Sequence, residues 1–211
     1  MTVTEFALIK LQPSYDELEL YECFMQLLEI QDEWIRRHQP HLLKANKNSN
    51  LSSVYKTKSD PSYLLIIAPW DSPDGHQEWL NSEENKAGMA ELRRYIAPGD
   101  DSVLLFHMEP AGQHKGPPPS FVRHTCFNVD RIFVEPGDKE TVQAKYRKVE
   151  GALQDLKLED QLWGGWRIEK PGDTEELVVF SSHSKSPLEK AVQKIGLTQR
   201  KESYCFHHIV G

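Results

Sequence analysis

In the second half of the chain His124, Asn128, His183, His207 and His208 fall in or beside segments of strand character, where a plain core would carry apolar side chains. An imidazole changes charge near neutral pH, so two of them in a dry pocket could relay a proton. His124 and Asn128 share one strand face because their separation is even. If that strand lies beside the last one, His124 and either His207 or His208 become cross-strand partners at ~5 Å. Trp163 and Trp166 flank Gly164-Gly165 and could wall a flat aromatic substrate. The first half offers fewer candidates. Tyr55, Trp70 and His107 interrupt otherwise apolar strands, and His76 reads as an outward or turn-capping residue at a helix start.

Other chemistries find no support. The chain has no HxH, HExxH or paired-cysteine pattern, and Pro40 breaks the helix that would align His38 with His41. It has no GxGxxG, P-loop or GxSxG sequence. We therefore expect no metal and no bound cofactor. Cys23, Cys126 and Cys205 form no CxxC and are expected to be reduced thiols. A net charge of −7 without a basic stripe argues against nucleic acid. No run approaches the ~18 apolar residues of a membrane span, and the first residues lack a leader pattern. The expectation is a cytoplasmic protein without membrane attachment.

These residues must be positioned by elements that occur twice. Gln113–Ser120 reads QHKGPPPS, and consecutive prolines fit neither a helix nor a central strand. They make residues 113–119 an extended, semi-rigid linker between residues 1–112 and 120–211. Before it come a strand at Phe6–Leu11, a helix at Asp16–His38, strands at Leu51–Lys58 and Tyr63–Ala68, a helix from Ser72 to Ile96, and a strand at Asp101–Met108. After it the order repeats: strand Val122–Val129, helix Lys139–Leu156, strands Leu162–Glu169 and Leu177–Ser182, a short helix from Ser186 to Ile195, and strand Ser203–Val210. LLFHM at Leu104–Met108 matches YCFHH at Tyr204–His208, and LLIIAPWDS–P matches LVVFSSHSKSP in the same order. A β-α-β-β-α-β unit is ferredoxin-like and leaves one sheet face uncovered. The pattern predicts an α+β chain of two tandem ferredoxin-like units that cover each other as an intramolecular dimeric α/β barrel.

Trp70–Asn85 reads WDSPDGHQEWLNSEEN. A Trp closing the third strand, then Ser-Pro, then His-Gln-x-Trp, resembles antibiotic-biosynthesis-monooxygenase-like domains. Phe121–Asp130 (FVRHTCFNVD) resembles the first strand of stress-responsive A/B barrel domains. The resemblance, spanning nearly the whole chain, is to the dimeric α/β barrel superfamily. It implies a ligand pocket between the sheet and the helices of one unit, and activities ranging from cofactor-independent oxygenation to polyketide cyclisation and haem degradation. His124 matches the first-strand histidine of the cyclase branch, whose helical Tyr and second His have no counterpart. The haem-degrading branch uses a helix His with Asn and Trp nearby. Asn128 is present, but neither half shows the full set.

The leading expectation is thus a small-molecule tailoring enzyme, a monooxygenase without a cofactor, acting on a hydrophobic or aromatic polyketide-like or terpenoid substrate. A cyclase or isomerase of the same fold is the alternative, and a non-catalytic binding or stress-related barrel is a third. Either a monomeric pseudo-dimer or a homodimer satisfies the repeat. In a fused pair one half can specialise, and the polar strands of residues 120–211 place the site there.

Overall fold

The structure is a computed structural model and describes residues 2–45, 51–59, 61–117, 126–170, 172–182, 192, 195 and 199–210. The chain is α+β and divides into two compact units, Met1–Phe106 with His208–Gly211, and His107–His207.

The first unit contains β1 (Val3–Lys10), α1 (Glu17–His38), β2 (Ser53–Thr57), β3 (Tyr63–Trp70), α2 (Pro73–Asn81), α3 (Glu83–Leu92) and the start of β4 (Val103–Pro110). Strand β3 lies between β1 and β2 and is antiparallel to both, with Phe6 opposite Ile67 and Tyr55 opposite Leu65. Strand alternation sends Val3, Ala7 and Ile9, Val54, and Leu64, Ile66, Ala68 and Trp70 to one face. There they meet Leu20, Phe24, Leu27, Leu28 and Ile35 of α1, spaced as a helical stripe. Asp16 caps α1 by accepting the amides of Leu18 and Glu19 at 2.9 and 3.0 Å, and Arg36, Arg37 and His38 complement the dipole at the other end. The single helix expected from Ser72 to Ile96 is two. Ser82 is extended (ψ 154°) and its hydroxyl caps α3 through the Asn85 amide, so the chain restarts there.

The second unit contains β5 (Phe127–Val134), α4 (Lys139–Asp155), β6 (Leu162–Arg167), β7 (Glu175–Ser182) and most of β8 (Arg200–Val210). Its strands run in the order β8-β5-β7-β6, all antiparallel neighbours, and Met108–Pro110 of β4 add to β6. Ile132, Val134, Leu162, Trp166, Leu177 and Val179 face Val142, Tyr146 and Leu153 of α4. Strand β5 lies five residues beyond the segment expected to form it. Val122–Thr125 fall outside the described residues, and the extended run continues through Arg131-Ile132-Phe133-Val134 to the Pro136 stop. The start of the expected linker is bound to this unit. The Gln113 amide donates to Glu150 Oε1 at 3.0 Å, and the Trp163 indole N–H donates to the His114 carbonyl at 3.1 Å. Pro118 and Pro119 lie outside the described residues.

Gly164 is required by a close approach. A Cβ there would sit 2.6 Å from Cε2 and 2.9 Å from Cζ of the Tyr146 ring. Gly164→Ala is expected to cost about 1–3 kcal/mol through overpacking, read from urea midpoints. An unchanged midpoint would mean that the ring is not seated on the glycine.

The cysteine expectation is corrected. Cys126 and Cys205 form a disulfide with Cα atoms 6.7 Å apart, and Cys23 alone is free. The two lie 79 residues apart in sequence and become neighbours only through the β5–β8 pairing. Thiol titration of the unfolded, unreduced protein should detect Cys23 only, whereas a titre matching every cysteine would remove the bridge. No helix among the described residues is long and apolar enough to cross a membrane.

Candidate active site

Strand β1 carries a carboxylate on its apolar face. The alternation that buries Val3, Ala7 and Ile9 also buries Glu5, which is 4% exposed. Trp70, at the end of β3, is opposite Val3 and so diagonal to Glu5, and its indole N–H donates to Glu5 Oε2 at 2.8 Å. Helix α2 supplies the third member. Ser72 accepts the Gly75 amide at 3.0 Å and Pro73 occupies the first turn, which fixes the helix start. His76 then points inward with Trp79. Its ring stacks on Trp70 at 4.3 Å and 14°, and its Nε2 lies 3.6 Å from Glu5 Oε2. His76 is 1% exposed, so the outward placement expected for it is corrected.

Aromatic residues enclose the group. Trp34 of α1 is 6.1 Å from Trp70 and 5.7 Å from Trp79, and His38 stacks on Trp34 at 4.1 Å. Gln39 ends α1 and accepts the Asp71 amide at 3.1 Å. A Cβ on Gly75 would collide with Asp71 Oδ1 and Gln39 Nε2, so glycine lets these polar ends close over the start of α2. Exposed His38 on one side and half-buried Asp71 and Ser72 on the other bring this cluster towards solvent. The open depressions described on this unit, about 640 Å³ around Lys10 and Tyr15, about 610 Å³ along α1 from Glu22 to Arg36 and about 650 Å³ around Met89 and Arg93, include neither Glu5 nor His76.

Burial lifts the Glu5 carboxyl from its ordinary 4.5 to about 7, against the opposing pull of the Trp70 hydrogen bond. A carboxylic acid that ionises near neutral pH, within ion-pair distance of an imidazole, can take up or release a proton at working pH. The arrangement fits a general base and its proton reservoir, held by an indole that fixes the carboxylate orientation. It does not fit a haem. His76 presents its ring face to Trp70 and its Nε2 to Glu5, so neither a slot for a macrocycle nor an outward-facing Nε2 is offered. Among the described residues no cluster of three or more His, Cys, Asp or Glu could hold a metal ion.

The residues selected from sequence are dispersed. His124 and His183 lie outside the described residues. Asn128 is half-buried on β5 opposite Cys205, and alternation along β8 puts His207 on the same face as Cys205. His208 projects to the other face, where its ring meets Tyr55 at 5.5 Å. Burial raises the Tyr55 hydroxyl to about 12. Trp163 and Trp166 are separated by an odd number of residues and point to opposite faces of β6. Trp163 packs on Phe180 at 5.1 Å, while Trp166 bonds to Gln143 of α4 under the Lys139 ammonium. They form no common wall. His107 is buried, with Nδ1 2.6 Å from Glu169 Oε1, and its backbone N–H donates to the other oxygen at 2.8 Å. Burial alone would raise the Glu169 carboxyl, but these bonds outweigh it and hold the group below its usual range.

Of the members of the closed cluster, sequence reasoning selected only Trp70. Glu5 was legible as the odd member of the alternating run Val3-Glu5-Ala7-Ile9, had the strand been started at Val3. His76 was legible from its three-residue spacing to Trp79 on one helical stripe.

No family model matches the chain, and no curated protein matches it. Solved structures do. A candidate monooxygenase from Fusobacterium nucleatum superposes with a TM-score of 0.60 at 6% identity, over 98% of this chain and 92% of that one. A second candidate monooxygenase, from Lactobacillus acidophilus, gives 0.58 at 9% identity over 100% and 99%. An anthrone oxidase-like protein gives 0.58 at 13% identity over 99% and 91%. These share the dimeric α/β barrel fold, and at such identities the likeness establishes the fold alone.

Proposed function

We propose that this chain is a monooxygenase-type tailoring enzyme that acts on a small electron-rich aromatic substrate without a bound cofactor, using Glu5 and His76 as its base. We further propose that it is built as two tandem ferredoxin-like units forming an intramolecular barrel. The observation that carries the functional reading is the buried Glu5 carboxyl, poised near pH 7 beside His76 and Trp70. An apolar core gains nothing from such a group, whereas proton abstraction from carbon requires one. The fold shared with an anthrone oxidase-like protein supports a hydroxyanthrone as first test substrate.

The proposed reaction balances without a cofactor. The base removes a proton from an activated CH₂, and the carbanion reduces dioxygen to a bound hydroperoxide. Loss of the second hydrogen with one oxygen as water leaves the other oxygen as a carbonyl. The substrate supplies all the electrons. Trp34, Trp70 and Trp79 pack together beside the base, and we place the substrate against them, with the Asp71–Ser72 turn as the proposed entrance.

The test is oxygen uptake with a hydroxyanthrone, in wild type and in Glu5→Gln. Uptake matched to quinone formation, with kcat/KM lowered about 10²–10⁴-fold in the variant, is the expected result. His207→Ala should leave turnover near wild type, because the reading places catalysis in the first unit. Turnover unaffected by Glu5→Gln would refute the assignment. Product formed without oxygen uptake would replace oxygenation by cyclisation or isomerisation at the same base.

A further inference from the structure

Base chemistry uses Trp70 to orient Glu5, but any hydrogen-bond donor would serve for that, and the donor here is an oxidisable indole. The other indoles whose hydrogen-bond partners are described donate to neutral acceptors, Trp163 to the His114 carbonyl and Trp166 to the Gln143 side chain. Trp70 donates to a titratable carboxylate at 2.8 Å, fully buried, with one ring face against His76 at 4.3 Å. A buried indole that only packs needs no charged acceptor, and burying one is costly.

We propose that Trp70 is a redox-active residue that yields one electron to an oxidant of the peroxyl-radical class while its indole proton moves to Glu5, leaving a neutral tryptophanyl radical. The electron reduces the peroxyl radical to a hydroperoxide anion. The N–H bond breaks as an O–H bond forms on the carboxylate, so the pair Trp70–Glu5 changes from indole and carboxylate to radical and carboxylic acid. Removing an electron makes an indole N–H strongly acidic. A carboxylate already in hydrogen-bond contact accepts that proton without separating charge in a medium of low dielectric.

Trp34 extends the pair. It stands 6.1 Å from Trp70 and 5.7 Å from Trp79, centroid to centroid, and His38 stacked on it is exposed. An oxidising equivalent on Trp70 can exchange with Trp34 and reach the edge of the unit, where a thiol or ascorbate can reduce it. The assignment stands apart from the oxygenation reading, because it requires the Trp70–Glu5 pair and an oxidant but no substrate.

The experiment is laser flash-quench oxidation of the purified protein by a ruthenium tris-bipyridyl photo-oxidant with a cobalt(III) quencher, followed by transient absorption and electron paramagnetic resonance. Wild type should give a neutral tryptophanyl radical formed as fast as the indole is oxidised, with no cation radical accumulating. Glu5→Gln, nearly isosteric, should shift the signal to the protonated cation radical, because its amide cannot take the proton. Trp70→Phe should lose the neutral signal, while Trp79→Phe should keep it. Circular dichroism reports whether each variant is folded. If Trp70→Phe does not fold, the glutamine variant carries the test alone. An unaltered neutral radical in Glu5→Gln, or in a folded Trp70→Phe, overturns the proposal, whatever the outcome with hydroxyanthrone.

Discussion

Glu5→Gln is expected to stabilise the protein at pH 8 by up to about 3 kcal/mol and to leave it unchanged at pH 4. The carboxyl ionises near its ordinary 4.5 in the unfolded chain and near 7 when folded, because burial penalises its charge. At pH 4 it is protonated in both states, and a neutral amide of the same shape costs nothing. As the pH rises past 4.5 the unfolded chain releases its proton while the folded chain retains it, which favours unfolding. The penalty grows until the folded carboxyl ionises near pH 7 and is constant above. Gln keeps an oxygen for the Trp70 N–H and removes the ionisable group. Urea midpoints at the two pH values measure the difference directly. A variant no more stable than wild type at pH 8 would mean that the carboxylate is already compensated, and the case for a perturbed base would fail with it. With Glu5 as the proposed base, the same change should lower turnover about 10²–10⁴-fold, the exchange of stability for activity expected where a destabilising group is kept for use.

Much of the fold was legible because two periods dominate it. Runs such as Tyr63–Ala68 and Leu177–Ser182 are strands in which nearly every side chain is buried, and the apolar spacing of Asp16–His38 and Lys139–Leu156 can belong only to helices. The β5 strand runs on past its expected end because two patterns overlap. Val122–Val129 and Phe127–Val134 are both plausible strands by alternation. What favours the second is Arg131, a charge that looks wrong for a strand core until Glu176 is placed beside it. That partner is 45 residues away, and no local pattern can supply it.

The site was less legible for a related reason. Histidines draw attention by their chemistry, whereas Glu5 looks like a solvent-facing residue near a chain end. Its alternation with Val3, Ala7 and Ile9 places it on their face, and the β1–β3 register, with Glu5 opposite Ala68 and Val3 opposite Trp70, shows which neighbours it meets there. The tryptophans of β6 show the converse. Trp163 and Trp166 are three residues apart, and on a strand the two-residue period sends them to opposite faces, so their division was available once the segment was read as a strand. The Trp70–His76 motif survived because it is short. A strand end, a Ser cap and the first turn of α2 fix it locally, and it needed only one distant partner to become a site.

Glu176→Gln should cost about 3–5 kcal/mol, measured as a loss of denaturant midpoint. Glu176 is fully buried on β7 and serves two arginines: its Oε1 accepts from Arg131 Nε at 2.6 Å and its Oε2 from Arg167 at 3.0 Å. Both guanidinium groups are almost withdrawn from water, with side chains 8% and 13% exposed. Removing the shared charge takes the fully buried acceptor from both cations, and glutamine can return only one acceptor to them. Glu202 bonds to Arg131 at 2.7 Å, but its side chain is 34% exposed, so water can replace it. Glu202→Gln should therefore cost no more than about 1 kcal/mol. The contrast tests burial rather than charge count, because each variant removes one carboxylate from the same arginine. Replacing Arg131, Glu176 and Arg167 together by apolar residues of similar volume should recover most of the loss, since the desolvation of all three ions is removed at once. Equal losses from Glu176→Gln and Glu202→Gln would show that solvent reaches the ladder and that β7 is not closed over it.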